Sequence, residues 1–184
     1  MKKYLLGLAL VFGLASNSNA QLQGSDIGVD GFFGASSFGG SFGLGVKYGL
    51  KFGDYFIAGP SARYQRSWNS NAVTGVGGGF NVYGGGAFFH ARFINALFAG
   101  AEFEMLNAPQ LSGVIGTGTR WAPTLLVGGG YSQEFNEKIR VQVGIMYDVI
   151  DNANSPFRQG YFLRRSNGSL IPVVYRISFF FPIG

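Results

Sequence analysis

The stretch GSFGLGVKYGLKFGD, residues 40–54, decides the fold. Phe42, Leu44, Val46, Tyr48, Leu50 and Phe52 take the even positions, while Gly43, Gly45, Lys47, Gly49 and Lys51 take the odd ones between them. Successive side chains on a strand point to opposite faces, so this strand has one continuous apolar face and one of glycine and lysine. Such a strand suits a barrel whose polar residues look into a narrow interior and whose apolar residues look out.

Working outward from it, the same alternation recurs. Residues 24–34 set Ile27 and Val29 against Asp26 and Asp30. Residues 55–68 set Phe56, Ala58, Ala62 and Tyr64 against Ser61, Arg63 and Gln65. Further segments fall at 78–93, 97–106, 119–132, 139–149 and 171–181, the cleanest being IRVQVGIMYDV. A two-residue turn at Gly53-Asp54 joins the second and third. From there long and short connections alternate, ending in the long polar loop DNANSPFRQGYFLRRSNGS. An even number of strands with alternating short turns and long loops predicts an all-β fold, an eight-stranded antiparallel up-and-down transmembrane β-barrel.

A lipocalin-like soluble barrel also alternates, but it turns its apolar face inward and its polar face to water. Here the polar faces are rich in Gly, Ala, Ser and Thr, and the apolar faces are almost free of charge, Arg66 near a loop end being the main exception. Aromatic residues cluster toward both ends: Phe52, Phe56, Phe93, Tyr131 and Phe179 at the short-turn end, Tyr64, Trp68, Tyr83, Trp121 and Tyr147 at the long-loop end. Two such girdles suit two lipid interfaces. The lipid-facing arrangement is the one expected.

Composition bounds the alternatives. Only 12% of residues are charged and 16% are aromatic, which excludes a disordered chain, and the 31 glycines lack a three-residue period. Residues 1–20, MKKYLLGLALVFGLASNSNA, have two lysines, a short apolar run and a small-residue end, the layout of a signal peptide cleaved after Ala20. That leaves 21–184 as the barrel domain, with a net charge of +3 and no basic run, so no nucleic-acid partner is expected. With no cysteine there is neither a disulfide framework nor a thiolate metal site, and no metal or other cofactor is expected.

GGSFGLG, AGPSARY, VYGGGAFFHARFINALFAGAEFEMLN and the pair VGGGY and VGIMYDV resemble the small outer-membrane β-barrel proteins of Bacteroidetes, especially flavobacterial ones. The resemblance runs from about Gly39 to the end of the chain. It implies a Gram-negative outer-membrane location. Some relatives are labelled 2-oxoglutarate decarboxylase, but this chain has no thiamine-diphosphate signature and is too short for that enzyme. YRISFFFPIG resembles a barrel assembly signal, departing from it in ending with Pro182-Ile183-Gly184.

The chemistry-bearing residues sit mostly on the inward parity: Lys47, Lys51, Arg63, His90, Arg92, Glu102, Glu104, Arg120, Arg140, Asp148 and Arg176. His90 with Glu102 or Glu104 has the composition of a base and an orienting carboxylate. In the interior of an eight-stranded barrel, filled by side chains, a structural ion-pair network is the expected role, with no catalytic residue among them. Arg158, Tyr161, Arg164 and Arg165 form a basic-aromatic cluster in the longest loop, suited to lipopolysaccharide phosphates or a protein partner. The expected function is a non-enzymatic outer-membrane barrel acting structurally or as an accessory subunit of a membrane complex. A narrow channel or small-ligand binder is the alternative, and a lipid-modifying enzyme using His90 is the least favoured.

Overall fold

The computed structural model describes residues 22–36, 39–70, 77–93, 96–109, 119–135 and 138–183. Residues 1–20, where a signal peptide is expected, and the loops at 71–76 and 110–118 lie outside them. Eight strands form one closed antiparallel barrel: β1 (Leu22–Ser36), β2 (Gly39–Phe52), β3 (Phe56–Ser70), β4 (Gly77–Phe93), β5 (Leu97–Pro109), β6 (Thr119–Phe135), β7 (Ile139–Asp148) and β10 (Val173–Ile183). Between β7 and β10 lie a 3-10 turn, Pro156–Gly160, and a small hairpin of β8 (Leu163–Arg164) and β9 (Leu170–Ile171). Each barrel strand pairs with its chain neighbours, and β1 pairs with β10 from Ser25 opposite Ile183 to Gly31 opposite Ile177. Closure gives each barrel strand a partner on both sides, although pairing stops short of the loop-end rim in places, with β1 paired to β10 only as far as Gly31 and β6 paired to β7 only from Leu126. No helix of the described residues is long and apolar enough to cross a membrane, which says nothing of strands.

The alternation maps onto the wall as expected. Phe42, Leu44, Val46 and Tyr48 are exposed on the outer surface, Val46 by 53%, while Lys47 between them is 1% exposed. Tyr64 lies opposite Tyr83 near the loop end, and Tyr83 meets Trp121 edge-to-face at 6.3 Å. Near the turn end Phe56 stacks on Phe89 at 5.7 Å. The outward Arg66 donates to Asn81 at 2.8 Å, which also accepts from Tyr64 at 3.0 Å, so this charge sits in a polar patch at the loop end.

Three details differ from expectation. The turn between β2 and β3 is three residues, Gly53–Tyr55, not the expected Gly53-Asp54 pair, with Gly53 at φ +60°, a left-handed conformation open to glycine. The last segment is not one strand. Leu170–Ile171 belong to the loop hairpin, Pro172 interrupts, and the wall strand begins at Val173. The long loop is not a solvated polar connection: Ser155, Pro156, Phe157 and Tyr161 are buried. The rim explains why. β6 has 17 residues but β7 only 10, and β10 starts level with Tyr147, so the wall is low on that side. The loop folds into the gap.

Candidate functional site

Inside the barrel, side chains stack in layers. The charge layer at mid-height holds three acids, Asp30, Glu102 and Glu104, and three bases, Lys47, Arg63 and Arg176, each 4% exposed or less. Lys47 Nζ lies 2.9 Å from Asp30 and donates to Glu102 at 2.6 Å. Arg63 donates to both oxygens of Glu104, at 2.8 and 3.0 Å, and lies 3.5 Å from Asp30. Arg176 donates to Asp30 at 3.1 Å and approaches Glu102 at 3.3 Å. The formal charges balance, and a bidentate arginine–carboxylate pair fixes the geometry.

His90 belongs to the same layer. Its Nε2 is 2.9 Å from Glu102 and its Nδ1 3.1 Å from the Gln142 amide, which reaches Ser132 at 3.5 Å. The base-and-carboxylate pair is therefore real in geometry. It is also packed shut: His90 contacts Phe88, Phe98 and Phe180 at ring separations of 5.2 to 5.9 Å and is 1% exposed. A general base needs substrate within hydrogen-bond reach, and this imidazole is enclosed on all sides by its own barrel.

Apolar layers sandwich the charges. Toward the turn end Ile57, Phe88 and Phe180 form one cluster, with Lys47 Nζ 5.3 Å from the Phe88 ring. Toward the loop end Val82, Leu106, Leu126, Met146 and Val174 form a second, closed by Phe157 and Tyr161 from the loop. The Phe157 ring lies 5.3 Å from Arg63 and 5.7 Å from Arg176, so cations press on aromatic faces above and below. The inner face is thus not only small residues and charges. These apolar residues share the inward parity of Glu104, Thr124, Asp148 and Arg176, which is the signal that could have found them.

Several expected residues sit elsewhere. Asp148 does not pair with an interior base: it is fully buried at the rim and anchors the loop. One oxygen accepts from the amides of Ile150 and Asp151 at 3.2 Å, and the other from Tyr161 at 2.9 Å and Ser155 at 3.3 Å. Tyr161 is therefore not part of an exposed cluster. Burial first, then the Asp148 carboxylate, push its hydroxyl well above the usual phenol range and keep it a donor. Arg158 is tied to Asp151 at 3.1 Å, whereas Arg164 and Arg165 are exposed beside Phe162 and Leu163. Arg120 is exposed at the start of β6, outside the charge layer. Lys51, Arg92 and Arg140 lie at the turn-end mouth: Asp26 takes Lys51 at 2.9 Å and Arg92 at 3.1 Å, and Arg140 pairs with Glu134. Asp26 and Asp30, at inward positions of β1, complete these ion pairs and were not among the residues expected in the network. Among the described residues no group of three or more His, Asp or Glu side chains is placed to hold a metal ion.

No family model matches the sequence, and no curated protein matches it. Among solved structures the chain is similar to the outer membrane protein Ail of Yersinia pestis, whose backbone structure was determined in a phospholipid bilayer nanodisc. The TM-score is 0.46 and the identity 12%, over 88% of this chain and 100% of that one.

Proposed function

We propose that the chain is an integral outer-membrane barrel with a structural or accessory role, not an enzyme. The observation that carries this is the inside-out distribution of its side chains. Balanced charges fill the interior while large apolar residues cover the outside of the wall, including Leu44, Val46, Phe103, Val143, Ile145 and Phe179. A soluble monomer rarely exposes a contiguous apolar surface beyond a few hundred Å², whereas lipid calls for such a band. The resemblance of the glycine-rich segments to small outer-membrane barrels of Bacteroidetes supports the same reading. Layers of charge and packed apolar side chains across the interior favour a sealed body over a channel, and the enclosure of His90 disfavours catalysis. What such a barrel has to offer is its surface. The hairpin tip, with Arg164 and Arg165 beside Phe162 and Leu163, is suited to lipopolysaccharide phosphates or to a partner protein in a membrane complex.

The test is to recover the tagged protein from outer membranes in mild detergent, run heated and unheated samples on a gel, and identify what accompanies it. A heat-modifiable band with a stoichiometric companion is expected of an accessory subunit. Recovery as a water-soluble monomer without detergent would overturn the membrane reading.

A further inference from the structure

Charge is unevenly divided along the barrel axis. The interior layer matches Asp30, Glu102 and Glu104 with Lys47, Arg63 and Arg176. At the turn end Asp26, Asp54, Glu134 and Glu137 match Lys51, Arg92, Lys138 and Arg140. The loop end holds five bases, Arg66, Arg120, Arg158, Arg164 and Arg165, against two acids, Asp148 and Asp151. The segments 37–38, 71–76 and 110–118 have no charged residue. The net +3 of residues 21–184 therefore belongs to the loop end alone. Both acids there are already engaged, Asp148 as the buried anchor of the loop and Asp151 with Arg158 at 3.1 Å. None is left for Arg66, Arg120, Arg164 and Arg165.

Residue type and placement say what the surplus fits. All five bases are arginines, whose planar fork matches a phosphate, while Lys47, Lys51 and Lys138 lie elsewhere. Arg66 has outward parity between the buried Gln65 and Ser67. A Cβ on Gly79 would stand 2.8 Å from its Nη2, so the guanidinium lies along the outer wall. Tyr64 and Trp68 flank it on the same face. Four strands round the barrel from Arg66 on β3 lies β7, after which the hairpin sets Phe162 against the outward Tyr175 at 6.4 Å. The exposed Arg164 and Arg165 follow it. Arginines beside wall aromatics on opposite sides of a barrel suit a lipid leaflet that surrounds it, better than a protein that meets one side. Resting on the membrane reading above, we propose that Arg66 on one side and Arg164 with Arg165 on the other bind the phosphates of lipid A, the membrane anchor of lipopolysaccharide. Arg120, which shares the inward parity of Ala122 and Thr124, takes no part.

The two tryptophans, Trp68 and Trp121, both stand at the loop end, so their fluorescence reads this rim. The full barrel in dodecyl maltoside micelles, which carry no phosphate, is titrated with lipid A and with lipid A stripped of its phosphates, the acyl chains being the same. Saturable binding, about tenfold or more tighter to the phosphorylated form, is expected. Arg66→Gln, and Arg164→Gln combined with Arg165→Gln, each weaken it about tenfold, the loss of one charge-assisted hydrogen bond. Arg120→Gln leaves it nearly unchanged. The heat-dependent gel shift verifies that each variant has folded, and the comparison of the two lipids on the native barrel decides if one has not. Equal affinity for the two lipids, or a loss in Arg120→Gln equal to that in Arg66→Gln, overturns the proposal. A barrel that keeps its gel shift in lipid vesicles while binding both lipids alike leaves the membrane reading standing; a protein soluble without detergent removes both.

Discussion

Gly100 shows how closely one residue can be specified here. It lies opposite His90, and a Cβ on it would stand 2.4 Å from His90 Cδ2. Gly100→Ala therefore pushes the imidazole off Glu102 and Gln142, with an expected loss of about 1–3 kcal/mol in urea unfolding from micelles; an unchanged midpoint would show that the interior has slack. Glu102 joins Lys47, His90 and Arg176. Glu102→Gln strands buried cations and is expected to cost about 3–5 kcal/mol, whereas combining it with Lys47→Met recovers part of that loss, as a double-mutant cycle would show. Most of this network was legible from parity alone. Lys47, Arg63, Glu102, Glu104 and Arg176 each interrupt an alternating strand on its glycine-rich side. Asp26 and Asp30 obey the same parity but lie on the weakest strand, where few apolar neighbours frame them. The pairing of Asp26 with Arg92, 66 residues away, depends on how the wall closes, which no local pattern states.

Among the elements, the loop between β7 and β10 is where the sequence says least. Strands announce themselves through a period of two, but this loop has no period, and its anchors Phe157 and Tyr161 sit among Asn, Arg, Gln and Gly like any loop aromatics. What draws them inward is the low rim left by the short β7, a property of neighbouring strand lengths. Tyr161→Phe leaves an Asp148 oxygen with Ser155 alone and is expected to weaken the loop's attachment by about 1.5–3 kcal/mol, as for a hydrogen bond to a charged group. Trypsin cleavage at Arg158, Arg164 and Arg165 in the folded barrel reads this directly and should accelerate while the gel shift of the barrel persists. The same anchor depends on pH. Because the Tyr161 hydroxyl titrates higher in the fold than its ordinary 10.0, its contribution is full below that pH and declines as pH rises beyond it. Protection of the loop should follow that course in the native protein and lose this dependence in Tyr161→Phe.

At the scale of the whole molecule, the proposed membrane location rests on the apolar outer surface. Val46 stands midway along β2 on that surface, level with the charge layer marked by Lys47. Val46→Arg is expected to cost about 2–4 kcal/mol in folding into lipid vesicles, against about 0–1 kcal/mol for Trp68→Arg near the loop-end interface. Equal costs at the two positions would contradict a lipid-facing belt. The seam between the first and last strands has a kinetic consequence. Asp30 on β1 and Arg176 on β10 are 146 residues apart, yet they complete the charge layer at 3.1 Å. Contacts that distant form late, after the long chain between them is organised. Until the ends meet, Asp30 and Arg176 lack each other as partners, so the charge layer is complete only in the closed barrel. The ionic seam thus ties the neutrality of the interior to the register of the two chain ends: a strand slip at the seam would separate Asp30 from Arg176.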